Sequence, residues 1–280
     1  MTSKEKYIKF CEQESIPVFS QSWWLDAVCS PENWEVILIE KGEEIIASFP
    51  YYMKKKYGFL KGITNPFMTQ KLGVYIKYPL SQTEDERLSL EKKIMNEIIE
   101  RLPFFDFFIV PFDYKYSNWL PFYWQGFKQS TGYSYCIEDI SDIERVFANF
   151  DRSKKKNIRK SEKEVQVYFD LSCEEFYENH VMTLQKQGQA IAYTFSAFQQ
   201  IYIGAYKHNQ GKTIYCKDSS GHIHAALFVV WDTYSAFDLI STIDPSFRNS
   251  GAASLLVYEM MKFLSAKVKV FDFEGSMIEG

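Results

Sequence analysis

The chain lacks most of the landmarks by which a pattern alone assigns a protein. Across its 280 residues no apolar run reaches the ~18 residues that a membrane-spanning helix needs. The charged start MTSKEKYIKF has no apolar leader core. Cysteine is sparse: Cys11, Cys29, Cys136, Cys173 and Cys216 are odd in number and never in C-x-x-C spacing. That argues against a disulfide framework or a cysteine zinc site, and for free thiols in a reducing compartment. Of the histidines, His222 and His224 form an H-x-H pair on one strand face, but no third ligand accompanies them, so no metal is expected. A Walker loop, a dinucleotide G-x-G-x-x-G and a nucleophile elbow are also missing. An excess of either charge is missing too: a net charge of −4 speaks against a general nucleic-acid or membrane binder, while leaving room for local basic patches. A cytoplasmic globular protein is expected.

What is present supports sizeable cores. Hydrophobic residues make up 46% of the chain, aromatic ones 18% and charged ones 24%, a globular composition at a length suited to one or two domains. In the first half, Ser20 is expected to cap a helix holding Trp23, Trp24, Leu25 and Val28. Trp34 to Glu40 and Ile45 to Tyr52 read as a hairpin around Lys41-Gly42-Glu43, with Lys54-Lys55-Lys56 at the tip of the next one. Phe59 to Ile63 reads as a further strand. Thr83 and Glu86 form a capping box for a helix whose buried side is Leu88, Leu90, Ile94, Ile98 and Leu102. Phe104 to Val110 is so apolar that it reads as a central strand, and Gly126-Phe127 leads into a last strand pair ending near Ile140.

The same order returns in the second half. Ser141 is expected to cap a helix to Phe150, Arg152 to Glu164 is a basic helix, and Ser172 caps a helix to about Gln187. Thr213 to Lys217 and His222 to Trp231 read as a hairpin around Ser219-Ser220-Gly221. Strands, helix and central strand thus occur twice, which predicts an α/β (α+β) chain of two domains of one type, 1–140 and 141–280. The second is expected to be incomplete, without the helix and strands that follow the central strand in the first, either as a fragment or with the missing edge coming from elsewhere.

The stretch from Ala236 to Met277 carries the chemistry. It reads as a strand to Ile243, a turn at Asp244-Pro245, an amphipathic helix with Leu256 and Met260 inward, and a strand from Val268 to Phe273. The helix opens on Arg248, Asn249, Ser250, Gly251, Ala252 and Ala253, with Asn249 or Ser250 as its cap. A glycine, two small residues and a cation at a helix N-terminus make a cradle for a phosphate or pyrophosphate. At the end of the last strand, alternation sends Asp272 and Glu274 to one face, where carboxylates are costly unless they line a cleft or find partners. A carboxylate of raised pKa can strip the proton from an ammonium, so Glu274 is expected as base and Asp272 as its support.

I-D-P-x-x-R-x-x-G-x-A, from Ile243 to Ala253, resembles the acyl-CoA pyrophosphate loop of the GNAT acyltransferase superfamily. FDFEGSM, from Phe271 to Met277, resembles its tandem branch, which includes the Fem-type peptidoglycan-bridge aminoacyltransferases. The resemblance implies two tandem GNAT-like domains, acyl-CoA as co-substrate at Arg248 to Ala253, and an acceptor held between the domains. The acceptor is an amine or hydroxyl of a small molecule, a sugar or a cell-envelope precursor. It further implies direct attack on the thioester, its carbonyl polarised by backbone N–H groups at the splayed end of the strand from Ala236 to Ile243. Thr69 and Gln70, in a first-domain loop with no phosphate cradle, are implied to meet the acceptor. Arg152 and Arg159, on the basic helix, are implied to hold an anionic substrate. In GNAT enzymes the protonating tyrosine often lies on the helix missing here, so no general acid is assigned. Two other readings stand beside this one: a Fem-like enzyme using aminoacyl-tRNA, its nucleic-acid partner, and a non-catalytic module that keeps only the fold.

Overall fold

The computed structural model describes residues 1–275 of the chain; Ser276 and Met277, which close the FDFEGSM segment, lie outside the described residues. The described residues form two compact units, one spanning Met1–Gly132 and the other beginning at Tyr133.

In the first unit, a Thr2–Glu5 capping box starts helix α1 (Ser3–Gln13). Helix α2 (Ser22–Cys29) follows, but Ser20 does not cap it: the Tyr7 hydroxyl donates to the Ser20 carbonyl and holds that residue in a buried 3-10 turn. Strands β1 (Trp34–Lys41) and β2 (Glu44–Lys56) pair antiparallel around Gly42, as their alternation predicts. Strand β3 (Leu60–Thr64) lines the other side of β2, and the short β4 (Tyr75–Ile76) also pairs with β2. Helix α3 (Glu84–Glu100) begins at the expected Thr83–Glu86 capping box and buries Ile94 and Ile98, while Leu88 stays exposed. Thr83→Ala removes an acceptor for the Glu86 N–H and is expected to cost about 1 kcal/mol, read as a lowered Tm.

Among the described residues, strand β5 (Phe107–Ile109) pairs, in parallel, with β3 alone, at the end of the order β1-β2-β3-β5. The central strand expected at Phe104 to Val110 is therefore an edge strand, with Phe104 and Ile109 exposed. Its apolarity has another cause. The Phe108 ring packs against Phe49, Phe122 and Phe127, the last at 5.2 Å edge-on, so an aromatic cluster with helix α4 (Leu120–Trp124) covers it.

The second unit carries a six-stranded sheet in the order β6-β11-β10-β9-β8-β7. Its edge strand β6 (Cys136–Ile137) comes from the stretch expected to close the first sheet; it pairs antiparallel with β11 instead. Helix α5 (Ile143–Asn149) is capped by Asp142 rather than Ser141, because the Ser141 hydroxyl donates to Asp139. Helix α6 (Arg152–Glu164) and helix α7 (Cys173–Lys186) under its Ser172 cap stand where predicted, with strand β7 (Gln166–Phe169) between them and helix α8 (Phe195–Lys207) after. Strands β8 (Gly211–Lys217), β9 (Ile223–Trp231) and β10 (Ser235–Ile243) form an antiparallel meander. Helix α9 (Ala252–Leu264) then crosses to β11 (Val270–Asp272), parallel to β10. Three antiparallel strands, a helix and a parallel strand thus recur as β1-β2-β3-α3-β5 and β8-β9-β10-α9-β11. One face of the second sheet packs on α9, α5 and α6 through Val229, Trp231, Ala236 and Phe271. The other meets α7 and α8 through the stacked rings of Phe176, Phe198 and Phe228.

Candidate active site

The loop between β10 and α9 is pinned before it reaches the helix. The Asp244 carboxylate accepts from the Ser246 N–H at 2.9 Å and from the Lys186 ammonium at 2.6 Å. Burial alone would raise the Asp244 carboxyl, but Lys186 and the Ser246 donors outweigh it and hold the group below its ordinary range. Phe247 stacks on the buried His224 ring, centroids 4.0 Å apart. Both histidines of the H-x-H pair are turned to Asp218, His222 Nδ1 at 3.1 Å and His224 Nε2 at 3.3 Å from its Oδ2.

Among the described residues, helix α9 has no side-chain cap on its first turn apart from Ser250, whose hydroxyl accepts from the Ala252 N–H at 3.2 Å. Asn249 does not cap it; its carbonyl accepts from Lys160 Nζ at 2.8 Å. Gly251 occupies the cap position in the left-handed region, φ +82°. The N-terminal N–H groups therefore open onto a cavity of about 180 Å³ lined by Lys154, Asn157, Arg248, Ser250, Ala253 and Ser254 among others. That is room for about six waters' share of liquid volume. Two cations, small side chains and uncapped N–H groups suit an anion of phosphate size.

The structure changes which cations matter. Helix α6 turns Ile158 and Ser161 into the core and puts Lys154 and Asn157 in the cavity wall. Arg152 is exposed and is not in that wall, and the Arg159 guanidinium sits over the Phe147 ring, 5.9 Å from its centroid. The reason for Gly251 also changes. A Cβ there would stand 2.6 Å from the Asn157 carbonyl oxygen, so the glycine admits α6 rather than a ligand.

A second feature lies on the strand leading to the loop. β10 pairs with β11 only from Ser235 to Phe237, and a bulge between Asp238 and Ile240 follows. From Asp238 onward β10 has no strand on that side among the described residues. Opposite Val229, Asp238 faces the α9 side of the sheet, as does Ile243, which lines the cavity. Asp238 Oδ2 accepts from the Ser241 hydroxyl at 2.7 Å, while Oδ1 is enclosed with no hydrogen-bond partner among the described residues. Burial pushes this carboxyl up to about 6, the Ser241 bond pulling the other way. Sequence reading passed over Asp238, although a lone carboxylate in the apolar run Ala236 to Ile243 was the available signal.

The expected pair Asp272 and Glu274 is arranged differently. β11 ends at Asp272, and Glu274 has φ +56°, so strand alternation does not set its direction. Asp272, paired with Phe237, is buried on the sheet face opposite that of Asp238. It accepts from the Ser134 hydroxyl and, at 2.9 Å, from the Glu274 N–H. In the first unit, Thr69 is buried: its hydroxyl accepts from Trp24 Nε1 at 3.0 Å and donates to the Phe67 carbonyl, while Gln70 is exposed.

No protein-family model matches the chain, and no curated protein matches it in sequence. Solved structures do match. FemX superimposes with a TM-score of 0.72 at 12% identity, over 100% of this chain and 89% of that one. The C-terminal domain of a putative lysylphosphatidylglycerol synthetase from Agrobacterium fabrum gives 0.56 at 12% identity, over 99% and 79%. L-PGS from Bacillus licheniformis gives 0.55 at 11% identity, over 99% and 77%. At such identities the likeness is one of fold: the chain, α/β with two mixed sheets, shares its fold with FemX.

Proposed function

We propose that the chain is an acyltransferase whose second unit holds the phosphates of an acyl donor, acyl-CoA, at the N-terminus of α9. The observation that carries this reading is the N-terminal end of α9, where only the Ala252 N–H is taken by a side chain among the described residues, beside a cavity that Lys154 and Arg248 line. From Ile243 back to Asp238 is about 17 Å of extended strand, along which an extended pantetheine arm lies toward the place where β10 and β11 part. There Asp238 takes a proton from the acceptor ammonium, the amine nitrogen attacks the thioester carbonyl, and as the C–S bond breaks with its pair on sulfur the thiolate takes the second proton that the nitrogen sheds, leaving an amide and free thiol. A carboxylate titrating near 6 is ionised at neutral pH and is still basic enough for that transfer. Glu274, just past the end of β11, remains a proposed contact for the acceptor, with Asp272 supporting it through the Glu274 N–H bond. The acceptor itself is an amine or hydroxyl of a small molecule, a sugar or a cell-envelope precursor.

Isothermal titration with acetyl-CoA tests the donor site. Lys154→Glu and Arg248→Glu are each expected to weaken binding about tenfold or more, since each replaces an attraction by a repulsion beside the phosphates. Unchanged affinity in both variants would remove the donor from this loop. A second reading takes its support from two of the structural neighbours, FemX and a putative lysylphosphatidylglycerol synthetase domain: the donor is an aminoacyl-tRNA. Absence of CoA binding by the folded chain, with salt-sensitive tRNA binding in its place, would favour that donor.

A further inference from the structure

The hairpin joining β2 to β3 has a composition that the acyl-transfer reading does not use. Lys54, Lys55 and Lys56 end β2, Lys61 follows on β3, and Tyr57-Gly58-Phe59 make the turn between them. All four lysines are exposed, and none meets a carboxylate among the described residues. Asp106 uses its carboxylate on the Lys61 backbone N–H, at 2.7 Å. Tyr57 is 74% and Phe59 73% exposed, so two large rings stand in water at the tip.

Two costs are built into this tip. Lys55 and Lys61 are direct cross-strand partners, a like-charge pairing that weakens a hairpin. Tyr57 has φ +54°, a left-handed conformation that asparagine or glycine tolerates and a bulky aromatic residue does not. Neither cost is offset inside the unit, beyond the Lys56 ammonium lying 5.0 Å from the Tyr57 ring centroid. Strain and like-charge crowding at one exposed place indicate a binding surface. Rings that sit well at a water–hydrocarbon boundary, ringed by lysines, complement an anionic lipid surface. RNA fits less well, because it calls for a longer basic track than one hairpin tip supplies.

We propose that the β2–β3 hairpin docks the protein on anionic membranes, Tyr57 and Phe59 entering the headgroup region and Lys54, Lys55, Lys56 and Lys61 facing the lipid charge. The test is flotation of the full chain with vesicles of phosphatidylcholine alone and of an equimolar mixture with phosphatidylglycerol. Binding is expected to the mixed vesicles only and to fall with added salt. Replacing Lys54, Lys55 and Lys56 with alanine should weaken it about a hundredfold, at roughly fivefold for each lysine. Tyr57→Asn separates this role from folding: it relieves the left-handed tyrosine, so it should raise Tm while lowering vesicle binding. Equal binding to both vesicle types, no binding to either, or full binding by Tyr57→Asn would each overturn the proposal. Binding of polyuridylate by the same lysines, with the vesicles ignored, would overturn it in favour of nucleic acid.

Discussion

Asp238→Asn is expected to lower the rate of acyl transfer by about 10²- to 10⁴-fold, the range that removal of a general base commonly costs, with donor affinity unchanged. The wild-type rate should climb with pH through about 6, where burial has set this carboxyl, and the residual rate of the variant should lose that inflection. The same substitution has a second readout that needs no substrate. An aspartate titrates near about 3.9 when unfolded, whereas Asp238 does so at about 6 in the fold. Between those values the folded chain holds a proton that the unfolded chain has released. The contribution of Asp238 to stability is therefore fullest below about pH 4, is lost as pH rises through about 6, and then stays level. Relative to wild type, Asp238→Asn should gain about 2 kcal/mol between pH 4 and pH 7, read from denaturant midpoints. Full turnover in Asp238→Asn together with loss of turnover in Glu274→Gln would move the proton acceptor to the end of β11.

Gly251→Ala is expected to destabilise the second unit by about 3 kcal/mol. Two terms add. A non-glycine residue at φ +82° costs about 1–2 kcal/mol, and a Cβ 2.6 Å from the Asn157 carbonyl oxygen overpacks the α6–α9 contact for about 1–3 kcal/mol more. Gly42→Ala supplies the control, because Gly42 has φ +65° with no atom within 4 Å of its would-be Cβ. It should cost only the conformational part. Equal losses at the two positions would show that the approach of Asn157 is not what requires a glycine. A defect in donor binding at Gly251 reports the packing of α6 against α9, so Lys154 and Arg248 are the residues that interrogate the ligand.

Local signals carried the elements far. The Thr83–Glu86 box, the Ser172 cap and the β1–β2 turn at Gly42 are read from neighbours a few residues apart, and each stands where its sequence places it. Caps fail where a hydroxyl has a competing partner: Ser141 gives way to Asp142 because Asp139 takes its hydroxyl. Apolarity misleads where it reports burial without its direction. Phe104 to Val110 has the composition of a central strand, yet β5 is an edge strand covered from one side by phenylalanine rings that follow it in the chain. The pairing of Cys136–Ile137 with β11 joins residues more than a hundred positions apart in sequence, and strand edges carry no address for their partners.

By itself the sequence determined that the chain is α/β, that one topology occurs twice, and that Arg248 to Ala253 opens a helix after a strand. Periodicity, caps and turn chemistry act over a few residues, so the amino-acid order contains them in full. The tertiary structure alone decided which basic residues meet that loop, Lys154 and Lys160 in place of Arg152 and Arg159, because the rotation of α6 is set by Ile158 and Ser161 seeking the core. It also decided that Asp238, and not Asp272, shares a sheet face with the α9 cavity. Strand register and one bulge assign each carboxylate its side, and register is settled only when the sheet and its helices pack together.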